Sequence, residues 1–117
     1  MIRIFLRSNI TPSPDVSNAQ PADDLVSDIN AQGKGRAVAI KGDASTLAGG
    51  RAIIADTLKA FGKLDILVLN AGIMGSKPIS DIDEAFFDDH VQSNIKGPLF
   101  MAKAAIEHLP ARTFSSR

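Results

Sequence analysis

Three short groups of residues in this chain have types and spacings suited to chemistry. The first is Gly42-Asp43-Ala44. Asp43 leaves an apolar run there and offers a carbonyl and a carboxylate to an amino group such as that of a purine, or else serves as the acid of a helix start. The second is Asn70-Ala71-Gly72, where a small residue and a glycine let a flat ligand approach the backbone, or else form an ordinary strand-end turn. The third is Asn94, with Pro98 four residues on. In a continuous helix residue 98 would bond the Asn94 carbonyl, but proline has no N–H, so that carbonyl is left to hold a water; alternatively Pro98 is a packing kink and Asn94 a tolerated polar helix residue.

Composition removes several other chemistries. There is no cysteine, hence no thiolate nucleophile, disulfide or cysteine-ligated metal. His90 and His108 have neither a metal-spaced partner nor an adjacent serine and acid, so both read as solvated helix residues and no metal site is expected. Lys96 and Lys103 read as surface charges. Thirteen basic and thirteen acidic residues cancel, which gives no field to attract nucleic acid or an anionic membrane. No apolar run approaches the roughly 20 residues that span a bilayer, and the opening MIRIFLR is too short and basic for a secretory core. A soluble, cytoplasmic protein is the expectation.

The elements that would position these groups follow from periodicity. Ile2 to Leu6 is strand-like, but residues 1–20 as a whole, with Pro12 and Pro14, read as an irregular N-terminal segment. Pro21 suits a first helical position, and Leu25, Val26 and Ile29 make a stripe that ends at Gly33, which predicts a helix over 21–32. Ala37 to Ile40 is a buried strand. Ser45 or Thr46 caps a helix that carries Leu47, Ile54, Leu58 and Phe61 and stops at Gly62, although Gly49 and Gly50 weaken its first turn by about 1 kcal/mol each. Leu64 to Leu69 is a second buried strand. Residues 83–109 are helical with an interruption at Gly97 and Pro98, and 110–117 read as a frayed tail.

Strands alternating with helices imply right-handed parallel crossovers and a doubly wound α/β sheet, whose ligands sit at the carboxyl ends of its strands. The domain so defined runs over 21–109.

In order and spacing, Gly42-Asp43, Leu64-Asp65-Ile66-Leu67-Val68-Leu69-Asn70-Ala71-Gly72 and Asn94-Ile95-Lys96-Gly97 resemble the central motifs of the short-chain dehydrogenase/reductase family. The resemblance covers residues 22–109. It implies a Rossmann-like sheet, an NAD- or NADP-dependent oxidoreductase acting on carbonyl or alcohol substrates, and roles for particular residues. Asp43 and Ala44 would lie against adenine, Asn70, Ala71 and Gly72 would brace the sheet beside the adenosine ribose, with the Asn70 amide bonding neighbouring strands, and Asn94 would be the catalytic asparagine that supports a proton-relay water.

Two departures set limits on that likeness. The glycine-rich loop that holds the pyrophosphate, and the first strand before it, are not recognisable; Gly33-Lys34-Gly35 follows a helix and is rejected as a substitute. The family acid is a tyrosine with a lysine four residues on, and this chain contains no tyrosine. Ser115 and Ser116 stand near the place of the catalytic serine, but no apolar strand precedes them, so Ser116 is the weakest site candidate. The expectation is a partial Rossmann-like domain, lacking the first strand and the C-terminal strands, that is inactive as it stands. The alternative is a non-catalytic module that joins a homo- or hetero-oligomer through the helix at 83–109. The resemblance also implies that the strands at 37–40 and 64–69 are not neighbours: two further strands lie between them, leaving unpaired edges unless residues 2–7 fill part of the gap.

Overall fold

The computed structural model of the chain describes residues 2–8 and 20–110. It contains a strand β1 (Ile2–Ser8), a helix α1 (Gln20–Ala31), a strand β2 (Arg36–Gly42), a helix α2 (Leu47–Phe61), a short 3-10 turn (Ile79–Asp81), a helix α3 (Glu84–Val91), a π-helical turn (Gln92–Lys96) and a helix α4 (Gly97–Ala105). The strands β1 and β2 pair in parallel, with Ile2 opposite Arg36 and Ser8 opposite Gly42. The strand-like start of the chain thus takes one of the two places implied beside β2, and it runs to Ser8 rather than Leu6.

Alternation along β2 decides which side each helix covers. Ile40 is buried in a cluster with Ala44, Ile53, Ile54, Leu64, Met101 and Ala105, and Val38 packs against it. Successive side chains point to opposite faces, so Ala37, 2% exposed, lies on the other face, the side on which α1 packs. The core is therefore a layer of α2 and α4 laid on β2.

Both helices around β2 stop on a glycine with positive φ, Gly33 at 64° and Gly62 at 75°, conformations that a side chain disfavours. Thr46 caps α2, its hydroxyl accepting from the Gly49 N–H at 3.1 Å. Of Gly49 and Gly50, which weaken the helix in isolation, Gly49 is explained by packing, since a Cβ there would strike the Asp43 carbonyl, whereas a Cβ on Gly50 would make only ordinary contact with Met101 at 3.6 Å.

Two expected elements are different in the structure. The strand at 64–69 does not form. Residues 63–70 take no regular secondary structure, and no backbone hydrogen bond joins 64–70 to any other described residue. The helical stretch at 83–109 breaks earlier than expected. The departure is a wide turn over Gln92–Lys96, where the Gly97 N–H reaches back five residues to the Gln92 carbonyl, and Gly97 and Pro98 then begin α4. Residues 111–117 of the tail expected at 110–117, Ser116 among them, and the stretch 9–19 lie outside the described residues.

α1 is tied to β2 by one side chain. The Asn30 Nδ2 donates to the Ala37 carbonyl at 3.2 Å and its Oδ1 accepts from the Ala37 N–H at 2.8 Å. The Asn30 amide therefore acts as a peptide group at the start of the strand. Asn30→Ala should remove about 1–2 kcal/mol of stability, with Asn30→Asp, which keeps only the acceptor, falling between the two; midpoints of urea unfolding measure both.

Candidate functional site

The three residue groups converge on one stretch of helix. Asn94 sits in the π-helical turn, and its side chain makes a reciprocal pair with one peptide unit: Oδ1 accepts from the Ile73 N–H at 2.8 Å and Nδ2 donates to the Ile73 carbonyl at 2.9 Å. The loop that follows Asn70-Ala71-Gly72 is held in this way. Gly72 itself lies so near that an added Cβ would stand 3.0 Å from the Asn94 Oδ1. Three residues on, Gly97 is buried against the other loop: a Cβ there would collide with the Ala44 carbonyl and with Ser45. Residues 94–97 thus touch both the Asp43-Ala44 loop and the Gly72-Ile73 loop.

Asp43 forms the turn ahead of α2 rather than its cap. Its Oδ1 accepts from the Ser45 N–H at 2.9 Å and from the Ser45 hydroxyl at 2.6 Å, while its carbonyl accepts from the Thr46 N–H and hydroxyl. The second carboxylate oxygen, Oδ2, has no hydrogen-bond partner among the described residues. Ala44 is buried in the core cluster, so it positions the loop by packing.

Asn70, Ala71 and Gly72 are all exposed. The expected bracing of neighbouring strands by the Asn70 amide is not seen among the described residues, where no hydrogen bond reaches its side chain and no strand lies beside it. His90 departs from the solvated residue expected. It is half-buried, its Nδ1 lies 2.7 Å from the Phe86 carbonyl, its ring lies tilted against Phe86 with centroids 4.2 Å apart, and its buried Nε2 has no hydrogen-bond partner among the described residues. A Cβ on Gly75 would come within 3.3 Å of that nitrogen. Lys77 closes this side of the loop, with Nζ 4.8 Å from the Phe86 ring centre and 3.8 Å from the Asp83 carboxylate. His108, Lys96 and Lys103 are exposed as expected. Among the described residues no group of three or more histidine or acidic side chains is placed to hold a metal ion.

The partners of Asn94 and Gly97 are backbone atoms, and this is why the sequence did not reveal them. Nothing in the type of Ile73 or Ser45 marks its peptide as a contact. The only signal was indirect, a polar residue followed at short range by Gly97 and Pro98.

The architecture, strand-end loops gathered by a helix on a parallel α/β layer, defines a partial Rossmann-like α/β protein. The sequence profile described as short chain dehydrogenase matches residues 15–115, and the chain belongs to that family. It is 32% identical over 93 residues to an uncharacterised oxidoreductase of Methylorubrum extorquens, covering 80% of this chain and 37% of that protein. A dehydrogenase/reductase from Sinorhizobium meliloti is similar over 91% of this chain and 38% of its own, at 34% identity and a TM-score of 0.77. A short chain dehydrogenase from Burkholderia cenocepacia, solved in complex with NADP, is similar over 91% and 40%, at 29% identity and a TM-score of 0.78. The chain spans well under half the length of each of these relatives.

Asn94→Ala should free the 71–78 loop while costing global stability only about 1 kcal/mol, because the pair it removes is exposed. Amide exchange at Ile73 should rise by about tenfold, read by hydrogen–deuterium exchange. Gly97→Ala should cost more, about 1–3 kcal/mol in a thermal melt, since its Cβ meets backbone that has nowhere to move.

Proposed function

We propose that this chain carries the adenosine-side part of a short chain dehydrogenase nucleotide site and is not a competent oxidoreductase as it stands. The family reaction is hydride transfer between NADP or NAD and a carbonyl or alcohol, with the cofactor supplying the hydride chemistry. In this reading the free Oδ2 of Asp43 and the Asp43-Ala44 backbone lie against adenine. Asn70, Ala71 and Gly72 form the open ledge beside the ribose, and Asn94 stands on the nicotinamide side.

One observation carries the site: residues 94–97 touch both the loop after β2 and the loop at Gly72-Ile73 at once. The cofactor in the Burkholderia relative supports a dinucleotide as the ligand. Asn94 already spends its amide on Ile73, so it would act through the loop it orders and through its carbonyl, as a positioning residue. Inactivity rests on the acid: proton exchange with the substrate oxygen needs a group such as tyrosine, and the chain has none. None of the described helices is long and apolar enough to cross a membrane, and with charge balance and no cysteine this supports a cytoplasmic location.

A second reading has its own observation. Ile95, Leu99 and Ile106, along the helical stretch at 83–109, are 61%, 62% and 68% exposed. These are large apolar side chains on a helix, and they support oligomerisation through it with a homologous chain.

Titration of the purified chain with NADPH and with NADH, followed by nicotinamide fluorescence, tests the main reading. Binding weaker than about 1 mM, near −4 kcal/mol, and no carbonyl reduction are the expected outcomes. Saturable micromolar binding would show that a pyrophosphate site exists without the glycine loop and would overturn the claim of incompetence at the binding step.

A further inference from the structure

The loop that Asn94 holds at Ile73 meets the same helical stretch again one turn earlier, where Gly75 reaches His90. The Phe86 carbonyl, 2.7 Å from His90 Nδ1, can only accept, so Nδ1 carries the proton of the neutral ring and Nε2 is a bare acceptor. That nitrogen is buried and has no hydrogen-bond partner among the described residues. Gly75 lies over it: a Cβ there would stand 3.3 Å from Nε2 and 3.0 Å from Cε2 of Phe86. With the ring neutral, closure leaves one acceptor unmet. With the ring protonated, closure buries a charged N–H against Gly75 with no acceptor, which is much less favourable. The surrounding charges do not offset this. The loop contributes Lys77, a cation 4.8 Å from the Phe86 ring centre and 3.8 Å from Asp83. Glu84, Asp88 and Asp89 of α3 are exposed, and no acid makes an ion pair with His90 among the described residues. The π-helical turn, which packs on α3, has Lys96 as its charged residue.

We infer that His90 is a proton-operated latch on the 73–78 loop: the neutral ring lets Gly75 close over it, and a proton on Nε2 releases the loop. The preference comes from what differs between the two states. The Phe86 carbonyl and the Phe86 ring, whose centroid is 4.2 Å from that of His90, belong to the same helix and stay beside the imidazolium whether the loop is closed or open. Nε2 is the atom whose surroundings change. The closed loop leaves its proton unmet, and the open loop gives it to water. Closure is therefore fullest above the range in which histidine titrates and is lost as the pH falls through it. The loop continues from Asn70-Ala71-Gly72, so its release also frees that stretch on one side. This inference rests on the packing around one ring; it goes beyond the nucleotide reading and does not depend on it.

The test is NMR spectroscopy of the 117-residue chain. The nuclear Overhauser contact between the Gly75 Hα protons and the Phe86 ring reads closure, and the contact of Gly50 with Met101 in the core is the reference. At about pH 8, long-range proton–nitrogen spectra should place the His90 proton on Nδ1, with the Gly75 contact strong. Lowering the pH to about 5, across the range in which histidines take up a proton, should weaken the Gly75 contact about tenfold and leave the reference unchanged. His90→Phe, which keeps a ring but cannot take a proton, should hold the contact at both pH values. His108→Gln, which removes the other histidine, should lose it as the native chain does. A proton on Nε2 at about pH 8, a Gly75 contact unchanged at about pH 5, its loss together with the reference, equal loss in His90→Phe, or its survival in His108→Gln would each overturn the proposal.

Discussion

The arrangement of the site depends on the reciprocal pair between the Asn94 side chain and the Ile73 peptide. An amide side chain presents a donor and an acceptor at the spacing of a peptide group, so it can replace a strand neighbour for one residue. Residues 64–72 have no strand neighbour among the described residues, and this pair ties down the loop that follows them. Gly97 completes the arrangement from the same helix by admitting the backbone of Ala44 and Ser45 where any side chain would block it. Two loops far apart in sequence therefore share one support, and the π-helical turn at Gln92–Lys96 sets the spacing between the two contacts.

The same device appears on the other side of the layer. Asn30 closes the end of α1 onto Ala37 with a donor and an acceptor, as Asn94 does for Ile73. Between them, Asp43 binds Ser45 and Thr46 through its own oxygens, and Thr46 then caps α2. Local polar side chains thus terminate or redirect the backbone at each change of direction around β2. Most of the buried apolar side chains belong to one cluster, in which Ile53 and Met101 are almost wholly enclosed. Gly50 of α2 packs against Met101 of α4 within this cluster.

Residues 64–69 show how far a pattern reaches and where pairing takes over. Their composition is that of a buried parallel strand, and Leu64 and Leu67 pack on the core cluster as such a strand would. A strand, however, is defined by the hydrogen bonds of its neighbours, and none of the described residues provides them. The consequence extends to the site, since Asn70 was expected to brace strands and has none to brace. His90 is a comparable case on a smaller scale: with no metal-spaced partner and no serine and acid beside it, it read as a solvated residue, whereas Gly75 of the loop lies close over its ring and Nε2 is enclosed.

By itself the sequence determined what depends on local chemistry and on residue type: the helices and their glycine stops, the buried character of 37–40, the Thr46 cap, the family motifs at Asp43, Asn70 to Gly72 and Asn94, and the absence of a tyrosine acid. These are legible because each is a property of a few consecutive residues. Tertiary structure alone decided that β1 pairs beside β2, that 64–69 stays unpaired, that the helix widens before Gly97, and that Asn94 holds Ile73 while Gly97 meets Ala44. Those outcomes turn on contacts between backbone atoms distant in sequence, and a peptide group is the same whatever side chain it carries.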